Sequence, residues 1–341
     1  MTLDSAFAQQ LQASAARLFA LLDRFTEARV LVVGDLTVDE FLTGQVERVS
    51  REAPVLILRH EITRQIPGGG ANSVYNLAKL GAQVKAVGLV GKDEQGRALR
   101  SIFESAHIDT TGILIDSDRP TVTKTRISGH ARQSVTQQIV RVDRKSDDLP
   151  DSALQLQLAE YISSQIGTVD AIVCSDYGDG TLTPPVIAAA LQHDRSIVDA
   201  QKALDRYQGA TVFTPNLPEA EQAVGYAIDS AESLDRAGQD LLNLTQAQHI
   251  LITRGEEGMS LFDRSSQQVI PAFNRTDVYD VTGAGDTVAA ALTLGLIGGA
   301  SLWEAAVLGN LAASIVVRQF GTATTSPQEM RAALQELLDG L

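Results

Sequence analysis

Residues 28–35 read ARVLVVGD, a continuous apolar run that ends in Gly34-Asp35. Such a run predicts a strand that is buried on both faces of a parallel sheet and stops at the edge where functional loops gather. Helical patterns separate several further runs of the same type, which are VKAVGLVG (84–91), AIVCSD (171–176), SIVDA (196–200), TVFTPN (211–216) and HILITRG (249–255). This βα repeat predicts an α/β fold with a doubly wound, mostly parallel sheet flanked by helices.

Two regions break the repeat, residues 41–66 and 121–142. Both combine period-2 alternation with β-branched residues and lack a following helix, so they predict a small antiparallel sheet that projects from the core as a lid. Apolar residues at helical spacing in ASAARLFALLDRFTEAR (13–29) predict a helix before the first strand. We therefore expect an N-terminal helical extension over 1–28, packed on a larger unit over 29–341 that includes both lid segments.

Composition restricts the classes of function. The 341-residue chain has 42 acidic and 28 basic residues, and its net charge of −14 repels a phosphate backbone, so nucleic acid is not an expected partner. Its single cysteine, Cys174, excludes an internal disulfide and a cysteine-based zinc module. The apolar stretches 287–300 and 305–317 are too short to cross a bilayer, and the N-terminus lacks a secretory signal pattern. We expect a cytoplasmic protein without a membrane partner.

The segment DVTGAGD (280–286) precedes the apolar helical run TVAAALTLGL. Two glycines before a helix start let backbone N–H groups approach an anion, and the helix dipole favours negative charge there, so the segment predicts a phosphate-binding site. Asp286 falls in the first turn of that helix, where it could accept a proton from a hydroxyl as a general base. The alternative is a plain turn in which Asp286 caps the helix.

Two further motifs precede predicted helices. In PGGGAN (67–72), consecutive glycines and Asn72 favour contact with a polyhydroxylated ligand such as a sugar, and the alternative is a hinge between lid and core. In NLPE (216–219), Asn216 and Glu219 could organise Mg²⁺ through water, and the alternative is a helix start with Glu219 in its first turn.

Two polar segments indicate binding of anions. TRGEEG (253–258) follows a strand and could hold the phosphates or ribose of a nucleotide, unless it is a plain β-turn. The second lid segment carries basic and amide side chains that favour an anionic substrate group, unless they form a solvated strand face; they are Lys124, Arg126, Gln137, Gln138 and Arg141.

Together, GGGAN, NLPE, TRGEEG and DVTGAGD occur in an order and spacing that resemble the ribokinase-like carbohydrate kinases, the PfkB family. The resemblance runs from Arg29 to the C-terminus. It implies a ribokinase-like fold and an enzyme that transfers a phosphoryl group from ATP, with Mg²⁺, to a hydroxyl of a sugar or sugar phosphate. A monovalent cation is a further cofactor that the resemblance allows.

The resemblance also assigns roles to single residues. The implied catalytic groups are the base Asp286 and the residues around the transferred phosphoryl group, Thr282, Gly283, Ala284 and Gly285. The implied contacts to the nucleotide, including the magnesium residues Asn216 and Glu219, are Asn216, Glu219, Thr253, Arg254, Gly255, Glu256, Gly258, Thr282, Gly283, Gly285 and Asn310. The implied contacts to the substrate are Asp39, Gly69, Gly70, Asn72, Lys124, Arg126, Gln138, Arg141, Asp176 and Asp286.

Within the family, the segments REAPV (51–55), QQIVRVDR (137–144) and SDYGDG (175–180) are most similar to kinases that phosphorylate O1 of D-glycero-β-D-manno-heptose 7-phosphate. In SDYGDG, Asp179 stands where many of those kinases have lysine. A fructokinase, a ribokinase, a nucleoside kinase and a non-catalytic sugar-binding protein of the same fold remain alternatives. Because uncovered edge strands are usually protected, we expect a homodimer formed through the lid.

Overall fold

The computed structural model describes residues 4–131, 136–274, 278–319 and 321–341. Within these ranges the α-helices are, in chain order, α1 (Ser5–Asp23), α2 (Gly70–Lys79), α3 (Glu94–Ser105), α4 (Ser152–Gln165), α5 (Pro184–Ala190), α6 (Leu217–Val224), α7 (Ala231–Thr245), α8 (Ala284–Ile297), α9 (Leu302–Val316) and α10 (Pro327–Asp339). The strands in the same ranges are β1 (Arg29–Gly34), β2 (Leu36–Val49), β3 (Leu56–Gly69), β4 (Gln83–Gly91), β5 (Asp109–Asp116), β6 (Val122–His130), β7 (Gln137–Arg144), β8 (Ala171–Asp176), β9 (Ser196–Ala200), β10 (Val212–Phe213), β11 (His249–Thr253), β12 (Met259–Phe262) and β13 (Gln267–Ile270).

The main sheet has nine strands in the order β13-β12-β11-β10-β9-β8-β1-β4-β5. Its pairings are parallel from β5 to β11, and β12 and β13 add an antiparallel edge. The predicted doubly wound, mostly parallel sheet is therefore confirmed, and β5, β12 and β13 are strands that the sequence interpretation did not identify. From β1 the chain builds outward to β4 on one side and later to β8 on the other, so the carboxyl end of β1 lies at the crevice where sheets of this type bind ligands.

The core forms two layers, one on each face of the sheet. Val30 and Val32 of β1 pack in one cluster, whereas Leu31 and Val33 pack in the other. All four side chains are fully buried, which confirms that β1 is covered on both faces. Helices α8 and α9 are mostly buried, as their apolar sequences predicted. No helix in the described ranges has both the length and the apolar character needed to cross a bilayer.

A second sheet, in the order β3-β2-β6-β7, forms the lid. Strands β2 and β3 make one antiparallel hairpin, and β6 and β7 make another, as predicted. The two hairpins join through a parallel pairing of β2 with β6, because both strands enter the lid from the carboxyl edge of the main sheet, after β1 and β5. Residues 132–135 of the second predicted lid segment lie outside the described residues.

The N-terminal helix α1 packs on the core, as expected. Its buried residues Leu11, Leu18 and Leu22 enter the same hydrophobic cluster as Val30 and Val32 of β1. The predicted boundary between 1–28 and 29–341 falls between a short 3-10 turn, Phe25–Glu27, and β1. The division of the chain into these two units stays a prediction.

Candidate active site

Gly283 shapes the entrance to α8, the helix that follows the predicted phosphate site. Its φ is 78°, a left-handed conformation, and a Cβ there would lie 2.6 Å from Asn72 Nδ2, so glycine is required. The Asp280 carboxylate accepts hydrogen bonds from the backbone N–H groups of Thr282 and Gly321, both at 2.9 Å. These contacts fix the turn before a helix start whose first N–H groups have no carbonyl partner four residues back in the helix.

Asp286 lies in the first turn of α8 and is only 3% exposed. Its carboxylate accepts hydrogen bonds from three side chains, Ser73 Oγ at 2.5 Å, Asn72 Nδ2 at 2.7 Å and Tyr177 Oη at 3.2 Å. Burial raises the pKa of Asp286 to about 6, and these three hydrogen bonds oppose the rise. A carboxylate with a pKa near 6 is mostly ionised at pH 7 and can accept a proton from a hydroxyl.

Asn72 and Ser73 reach Asp286 because β3 continues directly into α2. β3 ends at Gly69, where φ is 51°, and a Cβ on Gly70 would lie 2.9 Å from the backbone nitrogen of Asp35. The glycines therefore join lid and core at close approach, as the hinge alternative proposed. The Asn72 amide donates to Asp286 and accepts from Asn76 Nδ2 at 3.1 Å. Sugar contacts of Gly69, Gly70 and Asn72 stay predictions.

The lid brings Asp39, Lys124 and Arg126 close to Asp286 and Tyr177. Arg126 pairs with the buried Asp39 at 2.6 Å. The ammonium of Lys124 lies 5.4 Å from the centroid of the Tyr177 ring, and the Tyr177 hydroxyl contacts Asp286. These residues thus form one wall above the buried carboxylate.

Arg141 and Gln138 lie farther out on the lid. All residues of β7 are exposed, and the Arg141 side chain, itself 51% exposed, pairs with Asp143 at 2.8 Å. Arg141 stands directly opposite Arg126 in the antiparallel pairing, so both side chains share the lid face that carries Lys124. Gln138 pairs with Ser128, beyond a register shift. Roles for Arg141 and Gln138 in binding stay predictions.

Asp176 lies in a hydrogen-bond network away from Asp286, and its contact with substrate stays a prediction. Its carboxylate accepts hydrogen bonds from Tyr207 Oη at 2.6 Å, Gly178 N at 2.9 Å and Arg206 Nη1 at 3.3 Å. Successive side chains of a strand point to opposite faces, so Asp176 shares a face with Cys174, whereas Ser175 points to Ser73 on the base side. Asp176 therefore stabilises the fold on the other face of the sheet.

Tyr177 belongs to the site although the sequence interpretation did not select it. Its backbone N–H donates to the Asp35 carboxylate at 2.9 Å, which holds the loop after β8 against β1. Burial, together with the neighbouring charges of Asp286 and Asp199, raises the pKa of Tyr177 well above its ordinary value. Tyr177 therefore stays protonated and donates to Asp286. The available signal was an aromatic residue directly after the strand that ends at Asp176.

Asp199 is the second residue that was missed. It lies near the carboxyl end of β9, and it alternates with Val198 so that it faces the side of Asp286. Burial raises the pKa of Asp199 well above its ordinary value, and the charges of Asp286 and Glu219 add to the rise. The signal was an acid near the end of the otherwise apolar run SIVDA.

A cavity of about 670 Å³ lies beside the start of α8. Eight of the predicted nucleotide contacts line it, namely Asn216, Thr253, Arg254, Gly255, Glu256, Gly258, Gly285 and Asn310. An isolated bridge between Asn216 and Thr253 brings two of these loops together. Asn310 donates from Nδ2 to the carbonyl of Pro271 at 2.7 Å. Glu219, Thr282 and Gly283 are outside this lining. Much of the remaining wall is apolar, with Phe273, Val281 and Val288 among its side chains.

Asn216 and Glu219 form a capping box at the start of α6. Asn216 Oδ1 accepts from the Glu219 N–H, and the Glu219 carboxylate accepts from the Asn216 N–H, both at 2.9 Å. The helix-start alternative is therefore confirmed, and a role in metal binding stays a prediction. Burial raises the pKa of Glu219, and the nearby Asp286 adds to that rise.

The acidic side chains here fit a cation that is held with the help of other ligands. Asp199, Glu219 and Asp286 repel one another, and a divalent cation would relieve that repulsion. Over the part of the chain that the structure describes, no group of three His, Cys, Asp or Glu is placed to hold a metal by itself. The residues therefore suit Mg²⁺ that takes most of its ligands from water and phosphate oxygens.

Residues 27–329 match the model of the "pfkB family carbohydrate kinase". The chain is 42% identical over 318 residues to the bifunctional protein HldE of Pelobacter propionicus, covering 91% of this chain and 64% of that protein. It is 43% identical over 313 residues to HldE of Geobacter sulfurreducens, covering 89% and 62%. The chain thus spans less than two thirds of the length of these relatives.

Solved structures show the same fold. Phosphofructokinase-2 from Escherichia coli superposes with a TM-score of 0.72 at 20% identity, covering 91% of this chain and 99% of that one. Ribokinase from Arabidopsis thaliana superposes with a TM-score of 0.69 at 18% identity, covering 91% and 98%. The fold is therefore ribokinase-like, as the sequence predicted.

Proposed function

The chain belongs to the pfkB family of carbohydrate kinases, ATP-dependent enzymes, and from this premise we propose that its acceptor is D-glycero-β-D-manno-heptose 7-phosphate, phosphorylated at O1. This reaction would supply the synthesis of ADP-heptose, a precursor of the lipopolysaccharide core. The observation that carries the proposal is the buried Asp286, which lies between a cavity that suits a nucleotide and a lid wall that carries Lys124 and Arg126. The heptose assignment is supported by the similarity to HldE proteins.

Asp286 is proposed as the general base. The acceptor hydroxyl gives its proton to the Asp286 carboxylate while its oxygen forms a bond to the γ-phosphorus, and the bond from that phosphorus to the leaving oxygen of ADP breaks. Hydrogen bonds from Asn72 and Ser73 hold the carboxylate before substrate arrives. The backbone N–H groups at the start of α8 would receive the charge that develops on the phosphoryl oxygens.

The nucleotide is proposed to occupy the 670 Å³ cavity, with its phosphates toward Gly285 and its base toward Asn310. The apolar wall around Phe273 suits a purine ring. Mg²⁺ bound to the phosphates would neutralise charge during transfer. Asn216, Glu219 and Asp199 would hold that ion through water, because their carboxylate and amide oxygens already lie on the same side of the sheet as the base.

The acceptor's own phosphate is proposed to bind on the lid wall. Lys124 and Arg126 lie nearest to the base, and Arg141 extends the same face outward. Asp179, the acidic residue where related kinases often have lysine, pairs with Lys145 at 3.6 Å, which reduces its repulsion of a phosphate. Charge-assisted hydrogen bonds from these cations would favour a sugar phosphate over a neutral sugar.

A panel of acceptors tests the assignment. With ATP and Mg²⁺, we expect kcat/KM for the heptose 7-phosphate to exceed the values for fructose, ribose, nucleosides and fructose 6-phosphate by at least tenfold, and ³¹P NMR to show a new phosphate at C1. Preference for a neutral sugar or a nucleoside would replace the acceptor by that of a fructokinase, ribokinase or nucleoside kinase. Sugar binding without ATP turnover would favour the non-catalytic alternative.

A homodimer formed through the lid is also proposed. Strands β3 and β7 are the edges of the lid sheet, and Ile62, Val140 and Val142 are exposed on it. A second lid would cover these edges and side chains. Light scattering at micromolar concentration should give twice the chain mass of 36.4 kDa, and a species of 36.4 kDa alone would reject the dimer.

A monovalent cation is proposed as an additional cofactor. The E. coli phosphofructokinase-2 that shares this fold has been solved in complex with potassium. Replacement of K⁺ by tetramethylammonium at constant ionic strength should lower kcat, and an unchanged kcat would exclude a specific requirement.

A further inference from the structure

The helix α1 lies outside the part of the chain that matches the family, residues 27–329, and it packs mainly on α10 and also on α9. Its buried residues Phe7, Leu11 and Leu18 join the hydrophobic cluster that contains α8 and α9 residues. Both helices belong to the cavity, because α8 begins at the phosphate end and α9 supplies Asn310. Whether α1 contributes to nucleotide binding therefore depends on its contacts with the residues that line the cavity.

Two arginines of the N-terminal segment hold the turn between α8 and α9. Arg17 pairs with the buried Glu304 at 2.7 Å and donates to the carbonyl of Gly299 at 2.6 Å. Arg24 donates to the carbonyl of Gly298 at 2.7 Å. Glu304 also accepts at 2.7 Å from the backbone N–H of Ser301, the residue whose side chain caps α9. The N-terminal segment thus donates to two backbone carbonyls of the turn that follows α8.

At the other end of α1, the Phe7 ring packs against the cavity wall itself. Its centroid lies 6.1 Å from that of Phe273 and 5.7 Å from that of Trp303. Phe7 is buried, and Phe273 lines the 670 Å³ cavity. The segment that contains Phe273 is also held by Asn310, through the carbonyl of Pro271. Phe7 therefore packs behind the cavity wall at Phe273, and Asn310, which lines the cavity, hydrogen-bonds to the same segment at Pro271.

We infer that Phe7 is a positioning residue for the nucleotide: through Phe273 it fixes the apolar wall on which the base of ATP rests, so that nucleotide affinity depends on a helix outside the family-matched region. This inference rests on the proposed location of the nucleotide. The ring pair is tilted at 50°, a geometry in which aromatic rings attract each other. Without Phe7, the wall segment loses its outer contact and must be ordered by the ligand itself.

The Phe7→Ala variant of the full chain tests the inference. We expect the Kd for ADP with Mg²⁺, measured by calorimetry, and the KM for ATP to rise about threefold to tenfold, the scale set by the loss of one aromatic pair. The KM for the acceptor sugar should stay unchanged, because the rings that pack on Phe7 belong to Phe273 and Trp303, which are outside the lid and α2. Phe7→Leu, which keeps an apolar side chain but no ring, should recover part of the affinity.

Leu18→Ala is the matched control. Leu18 is a fully buried residue of the same helix, eleven positions and about 16 Å away along the axis. Its truncation should lower Tm at least as much as Phe7→Ala does, but leave the Kd for ADP within twofold. Equal Kd values for the wild type and Phe7→Ala, or equal losses in both alanine variants, would overturn the inference. If Phe7→Ala does not fold, the same comparison with Phe7→Leu decides.

The assay also separates this inference from the proposed function. Failure of the wild type to bind ADP, or binding that an Asn310→Leu variant does not weaken, would remove the proposed nucleotide site. Normal ADP binding by the wild type that both Phe7 variants retain would reject the role of Phe7 alone.

Discussion

The surroundings of Asp286 and the outer lid strand β7 differ in burial and in hydrogen bonding. Asp286 is buried and accepts hydrogen bonds from α2 and from the loop after β8. Strand β7 is exposed along its whole length, and Arg141 pairs there with Asp143. Buried, fully bonded groups hold their geometry before a ligand arrives, whereas ordering an exposed arginine costs conformational entropy.

The contrast teaches which kinetic constant each region should control. A preorganised base contributes in the transition state and should govern kcat. Lid cations that contact the acceptor phosphate in both the ground state and the transition state should govern the KM for that acceptor. Lys124 and Arg126 lie between the buried surroundings of Asp286 and the exposed strand β7.

Replacement of the base should have the largest effect. In Asp286→Asn, an amide of the same shape cannot accept the proton, so kcat should fall by about 10²- to 10⁴-fold, while the Kd for ADP stays within a few fold. Calorimetry and steady-state assays measure both quantities. Asp235→Asn, at an exposed position on α7, is the control and should be silent. A kcat near that of the wild type in Asp286→Asn would place the base elsewhere.

The lid cations should give effects of intermediate size, confined to one substrate. Lys124→Met should raise the KM for the sugar phosphate tenfold or more, since a hydrogen bond to a charged group contributes about 1.5–3 kcal/mol and about 1.4 kcal/mol is a factor of ten. Arg141→Ala should raise it about three- to tenfold, because solvent screens its exposed side chain.

The KM for ATP is the internal control for both lid variants and should not change. A sugar-phosphate KM that is unaltered in both variants would reject the phosphate site on the lid. An Arg141→Ala effect as large as that of Lys124→Met would show that β7 closes on the substrate more tightly than its exposure suggests.

The smallest effect should come from Tyr177→Phe, and it should depend on pH. The Tyr177 hydroxyl donates to the ionised Asp286 and so opposes the rise of its pKa to about 6. Without it, the Asp286 pKa should rise by roughly 0.5–1 unit, and the acid limb of kcat/KM should move up by the same amount. We expect a loss of about two- to fivefold at pH 6 and almost none at pH 8.5.

Tyr207→Phe is the control for this pH profile. Its hydroxyl also donates to a buried carboxylate, that of Asp176 at 2.6 Å, on the other face of the sheet. It should lower Tm without moving the acid limb. A loss in Tyr177→Phe that is uniform across pH would indicate a structural role instead.

Much of this site followed from the sequence because glycines and helix starts leave strong local signals. The DVTGAGD turn lies against the GGGAN joint, and eight of the residues that the sequence predicted as nucleotide contacts line one cavity. Side-chain direction was harder to predict. Asp176 and Asp199 both follow apolar strands, but strand alternation turns Asp176 toward Tyr207 and Asp199 toward Asp286. A shift of one position along the strand thus decides which of the two acids faces Asp286.

The missed strands have a similar explanation. β12 and β13 have only four residues each, and Gln267, Gln268 and Val269 are exposed, so neither strand gives a long apolar run. The parallel pairing of β2 with β6 joins residues more than 80 positions apart, and no local pattern encodes it. The apolar wall around Phe273 likewise comes from segments that only the fold brings together.

Because β3 continues without a break into α2, the lid and the residues that hydrogen-bond to Asp286 lie on one continuous segment of chain. Gly69 and Gly70 are at the junction of β3 and α2. The lid hairpin lies on one side of this junction, and Asn72 and Ser73 lie on the other. If the lid moves when the proposed acceptor binds, the displacement passes through Gly69 and Gly70 to Asn72 and Ser73, and the hydrogen bonds that orient the Asp286 carboxylate would change with it.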